Sequence, residues 1–372
     1  MHWMVWRRAM REWKKRKMKK PVACIFAAIL LATSTAWGWG DQSREKVIDG
    51  RTFSYRYRWD DGGHSNVTIY AISPQDGDIV IPSRIDDCDN VGLGTIVVGW
   101  SEYQNIAGPG TTSVRLPRSA THIPNYCFQG CGNLTNINLE CVTTYGMYAF
   151  EGCSNLVTTV HVRTNTVFRF TSYVNNERSC TFSGCKSLKD VIIDEGVKSL
   201  GQIGVFEGCG IESIKLPSTL QSMRSTFGGT QLREIDIPDS VKNIGGSFAN
   251  CTNLVQATIG RGVESLDRND FSGCTALERV IFKKPSSVVK IDGINVLEGS
   301  FSKCTSLKEV EIPDGVVSLD HGVFNDCTEL SRVVLPDSLR SIGQSVFHGC
   351  KGLKTIDIPN GVTNIGKNAS KS

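Results

Sequence analysis

Hydrophobic residues recur along this chain with a period near 23 residues. Between Phe128 and Phe347, ten phenylalanines are separated by 22, 32, 24, 21, 21, 23, 30, 23 and 23 residues, and nine of them have a cysteine three positions later. Self-similarity at such a period is the sequence signature of a solenoid, in which stacked repeats bury one continuous core. The pattern predicts about ten repeats of about 23 residues.

The best-preserved unit shows what each period contains. Leu307, Val310 and Ile312 have the L-x-x-L-x-L spacing of a leucine-rich repeat, and the last two alternate with glutamates. This period of two predicts a short strand with one buried face. Pro313 follows at once and ends the strand, because proline has no N–H for a ladder. Stacking such units predicts a parallel sheet of short strands on one face of the solenoid.

The turn after each phenylalanine has its own pattern. The residue two positions after the phenylalanine is glycine in seven units, and Asn250 or Asp326 in two others, which is typical of a left-handed backbone. Lys303 does not fit this interpretation. Thr230 replaces the cysteine of the fifth unit.

The unit F-x-G-C-x-x-L-x-x-[VI]-x-[IL]-P resembles the BspA-type, or Treponema-type, leucine-rich repeat, over roughly residues 112–370. The resemblance implies an α/β-type, mostly β, right-handed solenoid. It also implies an exported, non-enzymatic protein, secreted or at the cell surface, that mediates recognition or adhesion. The ligand implied is a protein or glycan on a host or microbial surface.

The chain divides into three parts. Residues 1–36 have a basic start, an apolar stretch and small residues before the end, which predicts a signal peptide; an uncleaved signal anchor is the alternative. The long basic start favours translation from Met18 or Met10. Residues 41–111 are predicted to form an N-terminal cap, and residues 112–372 the solenoid. The last unit is incomplete, since Ser370 stands where a phenylalanine is expected.

The predicted cap contains strand patterns at 67–70 and 78–82, separated by a turn, and a divergent strand at 95–98. Its aromatic residues are expected to cover the apolar face of the first coil. These are Trp59, Trp100 and Tyr103.

The formal net charge of +4 is misleading, because it comes from the first 20 residues. They hold nine Lys or Arg and one Glu, which leaves 32 basic and 36 acidic residues in the rest of the chain. No basic stripe remains for phosphate contacts, so the sequence gives no support to nucleic-acid binding.

Fourteen cysteines in an exported chain invite disulfides, but nine occupy one point of successive coils. Equivalent side chains in a stack point in parallel, whereas a bridge needs its Cβ atoms turned towards each other. A ladder of buried free thiols is therefore favoured over disulfides there. The cysteines off the repeat are better disulfide candidates. They are Cys88, Cys127, Cys141 and Cys180.

Metal and catalytic motifs are not found. No C-x-x-C pair occurs, the six histidines are scattered, and no cofactor is predicted. The acidic run at 86–90 lacks the spacing of a calcium loop and is interpreted as a solvated turn. Neither a G-x-S-x-G elbow nor a phosphate loop is present, so the chain is predicted not to be an enzyme.

Two surfaces are candidates for protein binding. One is the outward face of the predicted sheet, which is polar and of mixed sign; a merely solvated face is the alternative. Its candidate residues are Glu234, Asp236, Arg279, Glu309, Glu311 and Arg332. The other is an insertion at 163–178, where aromatic residues alternate with polar ones. Its candidates are Phe168, Arg169, Phe170 and Tyr173. The alternative for the insertion is a hairpin that packs its own aromatics against the coil.

A second insertion is predicted between Lys283 and Leu297. At the C-terminal end no polar capping unit follows the last repeat, although solenoids usually need one. Two functions therefore stay open. The first is recognition or adhesion. The second is a structural envelope or matrix component that self-associates through the uncapped C-terminal repeat.

Overall fold

The computed structural model describes residues 43–59, 65–85, 91–93, 106–169, 180–201, 203–291 and 299–369. Over these residues the chain is built from short strands and turns, and none of them is helical. The strands are β1 (Ser43–Ile48), β2 (Arg51–Trp59), β3 (Ser65–Ser73), β4 (Gly77–Val80), β5 (Val91–Leu93), β6 (Thr111–Arg115), β7 (His122–Ile123), β8 (Asn136–Ile137), β9 (Thr144–Tyr145), β10 (Val160–Val162), β11 (Val167–Phe168), β12 (Val191–Ile193), β13 (Glu234–Asp236), β14 (Gln256–Ile259), β15 (Ser265–Leu266), β16 (Arg279–Phe282), β17 (Lys290–Ile291), β18 (Glu309–Glu311), β19 (Ser318–Leu319), β20 (Arg332–Val334), β21 (Ser341–Ile342) and β22 (Asn364–Ile365).

The N-terminal strands form a separate four-stranded sheet. Strands β1, β2 and β3 are antiparallel neighbours, and β5 pairs with β3 in parallel. The two strands predicted around the turn at 73–77 are confirmed as β3 and β4, whereas β1 and β2 were not predicted. The strand predicted at 95–98, the residues Trp100 and Tyr103, and the side chain of Trp59 lie outside the described residues.

Strand β4 already belongs to the solenoid, because it pairs in parallel with β6, which pairs with β8. The guanidinium of Arg51, on β2 of the cap sheet, holds the turn before β4. It donates hydrogen bonds to the carbonyl oxygens of Pro74, Asp76 and Asp78. One arginine therefore ties the cap sheet to the first coil.

Most coils contribute to two parallel ladders. The main ladder contains β4-β6-β8, then β10-β12, then β13-β14-β16-β18-β20. A second ladder contains β7-β9-β11 and, further along, β15-β17-β19-β21-β22. The predicted solenoid with a parallel sheet on one face is confirmed. The second ladder follows the turn after each main strand and was not predicted.

The phenylalanines form a continuous ring stack at the back of the coils. From Phe128 to Phe347 their ring centroids are 5.0 to 5.9 Å apart, with planes within 20° of each other. All ten side chains are buried. Burying an aromatic ring in each coil supplies much of the apolar surface that drives the coils together.

The nine repeat cysteines are buried free thiols, as the ladder interpretation predicted. Burial raises the pKa of eight of these thiols, to about 12 for Cys131 and Cys350, whereas the hydrogen bond with Cys274 lowers the pKa of Cys251. Eight of the nine donate a hydrogen bond to the phenylalanine carbonyl of the preceding coil, at 3.0 to 3.2 Å. This contact was not predicted. It gives a buried polar group a partner, which an apolar side chain could not do.

Cys127, Cys141 and Cys180, which lie off the repeat, are reduced, so the disulfides predicted for them are not formed. The physical reason is position. Cys127 and Cys180 are buried in different coils, and Cys141 is exposed in a turn. Cys88 lies outside the described residues.

The left-handed turn is present in all ten units. Asn250 and Asp326 have φ of 59° and 61°, and Lys303 has φ of 62°. The interpretation that Lys303 departs from the pattern is therefore wrong, because the coil imposes the conformation on whatever residue stands there. A second left-handed position, two residues before the phenylalanine, was not predicted; Tyr126 and Ser345 are examples.

The apolar residues of the last described coil are only partly covered. Ile358 and Ile365 are 44% and 53% exposed, whereas Ile342, which pairs with Ile365, is 2% exposed. The signal-peptide region and the run at 86–90 lie outside the described residues. In the part of the chain that the structure describes, no helix has the length and apolar character to cross a membrane.

Candidate functional site

The outward face of the main ladder has the register that the repeat predicted. Glu234 pairs with Gln256, Gln256 with Arg279, Arg279 with Glu309, and Glu309 with Arg332. All of these side chains except Gln256 are exposed. The sheet-face candidates therefore lie together on one surface.

Several of these charges bind each other across coils. The guanidinium of Arg332 lies 3.5 Å from the Glu309 carboxylate, and Lys283 Nζ lies 2.6 Å from Asp236. Lys284 Nζ lies 2.6 Å from Glu311, and its hydrogen bond and charge lower the pKa of that carboxyl. These pairs are exposed, so each contributes little to stability. Because they neutralise one another, they leave little charge for steering a partner.

The lysines that reach two of these acids come from the start of the second insertion. Asp236 belongs to β13, and Lys283 follows β16, two strands further along the ladder. Lys284 reaches forward to Glu311 on β18. The first residues of the insertion therefore form ion pairs with acidic residues of the sheet face. The residues that follow at 292–298 lie outside the described residues.

The first insertion begins later than predicted. Val167 and Phe168 form β11, which pairs with β9, so they are the regular second strand of their coil. Phe168 is 7% exposed and stacks on Tyr145 with a centroid distance of 5.5 Å. Its assignment to a binding surface is therefore wrong, because its ring packs in the core. Arg169 is exposed, and Phe170 and Tyr173 lie outside the described residues.

A cleft of about 540 Å³ opens in the sheet face between β12 and residues 213–215. Its lining residues are Thr159, Lys189, Asp190, Val191, Ile192, Ser213, Ile214 and Lys215. Ile192 points outward and is 50% exposed. None of these residues was among the binding candidates from the sequence, because Ile211, Ile214 and Leu216 have the same spacing as the equivalent residues of most other units.

The cleft exists because strand pairing in the main ladder is missing at this point. Residues 213–216 occupy the place of a strand between β12 and β13, yet they form none. Among the described residues, none of their backbone N–H or C=O groups has a hydrogen-bond partner. Val191 and Ile214, at inward positions, are half-buried, whereas Ile235 and Val310 at the same point of other coils are buried. Neighbouring Lys189 and Glu212 pair at 2.6 Å on the rim.

The perturbed ionisable groups do not line this cleft. Complete burial raises the pKa of Asp270 to about 8, and burial lowers the pKa of His122 to about 4. Asp270 precedes Phe271 in the turn, and His122 lies on β7 of the second ladder. Within the described residues no group of three His, Cys, Asp or Glu side chains is placed to hold a metal ion.

Comparison with known proteins places this architecture in a family. The model of the BspA-type leucine-rich repeat region matches residues 107–175, 175–293 and 285–372, with six copies. The chain belongs to the BspA-type leucine-rich repeat family. A search of curated proteins gives no match.

Solved structures of similar architecture come from several bacteria. A leucine-rich cell surface protein from Faecalibacterium prausnitzii is 22% identical, with 88% of this chain and 96% of that chain covered and a TM-score of 0.45. A leucine-rich repeat protein from Bacteroides ovatus is 21% identical, with 86% and 99% covered and a TM-score of 0.40. The pneumococcal vaccine antigen PcpA is 15% identical, with 88% and 94% covered and a TM-score of 0.45.

Proposed function

We propose that this chain is an exported, non-enzymatic recognition protein of the cell surface that binds an extended segment of another protein. The cleft beside β12 is the observation that carries the proposal. It combines partly exposed apolar side chains, Ile192 and Ile214, with backbone groups of residues 213–216 that no ladder uses. Extended peptides are recognised by this combination of main-chain hydrogen bonds and side-chain pockets.

The chemistry of the cleft favours a peptide over a glycan. No aromatic side chain is among its described lining residues, so no ring is available to stack on a sugar. Of the charged residues on its lining, Lys189 is paired with Glu212, and Asp190 and Lys215 are of opposite sign. Main-chain pairing and apolar contact are the interactions that set a peptide apart from a glycan.

A matched pair of variants tests the proposal. Ile192 and Ile281 both point outward at the same point of the coil, and they are 50% and 38% exposed, but Ile281 lies in a closed part of the ladder. Binding of the purified chain to extracellular-matrix proteins and microbial surface extracts is measured with Ile192→Asp and Ile281→Asp. A loss of at least about tenfold in affinity, equal to about 1.4 kcal/mol, is expected for Ile192→Asp alone.

Treatment of the extract separates the ligand classes. Protease should abolish binding, and periodate should leave it intact; the reverse result would assign a glycan ligand and contradict the peptide proposal. Equal loss in both variants would mean that the cleft is not the site.

Export is supported by the basic and apolar pattern of residues 1–36. Expression of the whole chain in a bacterial host should give an extracytoplasmic protein whose mass corresponds to cleavage after Ala36. Removal of residues 1–36 should retain the protein in the cytoplasm. An uncleaved, membrane-associated product would instead support a signal anchor.

The insertion stays a second candidate surface, with Arg169 as its described and exposed residue. Its test is replacement of residues 171–178 by a Gly-Ser linker, which leaves Phe168 in the core. Retained binding in that variant would assign recognition to the cleft.

A structural role through self-association is the alternative function, and the exposure of Ile358 and Ile365 favours it. A second copy of the chain could cover these side chains. Sedimentation equilibrium should then show association that Ile365→Asp removes and that Thr355→Asp, on the exposed sheet face of the same coil, does not. A monomer at all concentrations would contradict this alternative.

A further inference from the structure

Both ladders of the solenoid weaken over the same stretch of chain. In the main ladder, β12 pairs only with β10 and β13 only with β14, and residues 213–216 between them bond to neither. In the second ladder, single bridges at Ser199, Ser222 and Asn243 replace the strands. Three- and five-stranded sheets continue on either side of these bridges.

The main ladder has another interruption, between β8 and β10, where other contacts hold the neighbouring coils together. Between β8 and β10 the coil has an extra residue at Thr158, whose Oγ1 donates to the carbonyl of Ile137 at 2.6 Å. The second ladder runs unbroken past this point as β7-β9-β11. Among the described residues, only in the coils of residues 191–193, 213–216 and 234–236 is the main ladder open while the second ladder is reduced to single bridges.

The side of the coils that carries the phenylalanine turns is here called the phenylalanine edge. In contrast to the ladders, it keeps its backbone hydrogen bonds between coils through this region. The amide of Phe206 donates to the carbonyl of Thr226 at 3.0 Å, and that of Phe227 to Ser247 at 2.9 Å. The ring of Phe227 stacks on those of Phe206 and Phe248 at 5.9 Å, with planes within 12°. The coils are therefore bonded by their backbones along the phenylalanine edge. On the sheet side, residues 213–216 have no backbone hydrogen bond within the described chain, and the Lys189–Glu212 pair joins the rims of the cleft.

A thiol contact is also missing in the same place. Thr230 stands where the other units have cysteine, and its Oγ1 donates to the carbonyl of Phe227 in its own coil, at 2.7 Å. The carbonyl of Phe206 therefore accepts no bond from the next coil at this point, and its described partner is the amide of Cys209. The coils of Phe206 and Phe227 therefore lack the thiol hydrogen bond that joins the other neighbouring coils from Phe128 onward.

The geometry points to a hinge at residues 211–230. The closed phenylalanine edge acts as the axis, and the described coils on either side, residues 106–169 with 180–201 and residues 231–291 with 299–369, rotate about it as two stiff stacks. Opening on the sheet side changes the width of the cleft, whose walls lie on β12 and on residues 213–215. Hinge motion of this kind concentrates in a few residues with low local stability. The inference does not depend on what the cleft binds.

Distance distributions between paired spin labels test the hinge. Thr159 and Arg279 are five coils apart across residues 211–230, and Glu234 and Thr355 are five coils apart within the C-terminal stack. Both separations are about 24 Å, and all four side chains are exposed. Labels are placed at cysteines in the full chain, with Cys24, Cys88 and Cys141 replaced by serine; the other thiols are buried. The first pair should give a distribution at least about twice as wide as the second. Equal widths would overturn the hinge.

Hydrogen exchange of the unaltered chain provides a second measurement. The amides of Ile214 and Leu216 should exchange about 100-fold faster, or more, than those of Phe206 and Phe227, which stay bonded on the axis. Rapid exchange of all four amides would mean that the coil melts rather than bends, and would also overturn the inference. Neither measurement involves a ligand, so failure of the hinge and failure of the proposed function are distinguishable.

Discussion

The thiol of Cys304 donates a hydrogen bond to the carbonyl oxygen of Phe271, one coil earlier, at 3.2 Å. The same oxygen accepts the amide of Cys274 in its own turn at 3.1 Å. One carbonyl oxygen thus accepts the amide that closes the turn of its own coil and the buried thiol of the next coil. This double use explains why a cysteine, rather than an alanine or valine, suits the position after each phenylalanine turn.

Replacement of Cys304 by alanine should destabilise the chain by about 1 to 2 kcal/mol, because it removes a buried hydrogen bond and leaves a small void. Cys304→Ser should cost less than the alanine variant, since a hydroxyl can still donate, as Thr230 does in its own coil. Urea unfolding gives both values. Cys141→Ala, at an exposed thiol, is the control and should change stability by less than about 0.5 kcal/mol. A control as costly as Cys304→Ala would contradict the role assigned to the ladder.

Thiol reactivity should separate the cysteines into two groups. Thiolates are the reactive form, and burial raises the pKa of the repeat thiols other than Cys251, to about 12 at Cys131. Cys251 is fully buried, so a reagent cannot reach it in the folded chain. In the folded chain at pH 8, maleimide should modify Cys141 and leave the nine repeat cysteines intact, as read by peptide mass spectrometry. All of them should react in denaturant without a reductant. Peptides linked by a disulfide between repeat cysteines would contradict the free-thiol ladder.

Lys303 has the left-handed backbone that glycine adopts in most other units, with φ of 62°. The conformation costs a residue with a Cβ about 1 to 2 kcal/mol, whereas glycine loses about 0.5 to 1 kcal/mol through its more flexible unfolded chain. Lys303→Gly should therefore stabilise the chain by up to about 1 kcal/mol, and Lys303→Ala should not.

Replacement of a left-handed glycine by alanine provides the control for Lys303→Gly. Gly152 has φ of 74°, and an added Cβ would meet no atom closer than 3.8 Å, so only backbone strain opposes alanine there. Gly152→Ala should cost about 1 kcal/mol in thermal or urea unfolding. No loss in that variant would remove the reason for expecting a gain at Lys303.

The repeat predicted the coils because each carries its own turn and strand signals, such as Pro313 and the residue before each cysteine. Phe168 was misplaced because 32 residues separate Phe150 from Phe182, and periodicity does not show where the extra residues begin. Pairing of β11 with β9 shows that the coil stays regular through Phe168. The extra residues therefore follow Arg169.

The sequence predicted which residues lie on the sheet face, but it did not predict the ion pairs or the cleft found there. Register follows from the period, so the row from Glu234 to Arg332 was correct. The reach of Lys283 to Asp236 depends on where an irregular insertion leaves the sheet, which no repeat pattern encodes. The cleft was not predicted either, since Ile214 follows the same spacing as residues in closed parts of the ladder. Strand pairing is a property of neighbouring coils, not of one unit.

Buried Asp270 should make the chain less stable as the pH rises. Its carboxyl accepts the amides of Gly246 and Asp267 at 2.6 and 2.7 Å, and burial raises its pKa from 3.8 to about 8. The folded state therefore holds a proton that the unfolded state releases between about pH 4 and pH 8. Stability falls across that window by up to about 1.4 kcal/mol per pH unit. Asp270→Ser, which introduces the residue found at the same point as Ser247 and Ser300, should remove the fall.

Over part of this pH range, His122 changes the stability of the chain in the opposite direction to Asp270. Burial, followed by the charge of Arg169, lowers its pKa from 6.5 to about 4, so the unfolded state holds the extra proton there and stability rises between about pH 4 and 6.5. The two effects offset each other below pH 6.5, and only Asp270 acts from 6.5 to 8. Urea unfolding should therefore give nearly constant stability up to pH 6.5 and a decline above it. His122→Ser, which matches Ser318 and Ser341 on the same ladder, should extend the decline down to pH 4. A decline confined to pH above 6.5 in His122→Ser would contradict the assignment of the acidic half to this histidine.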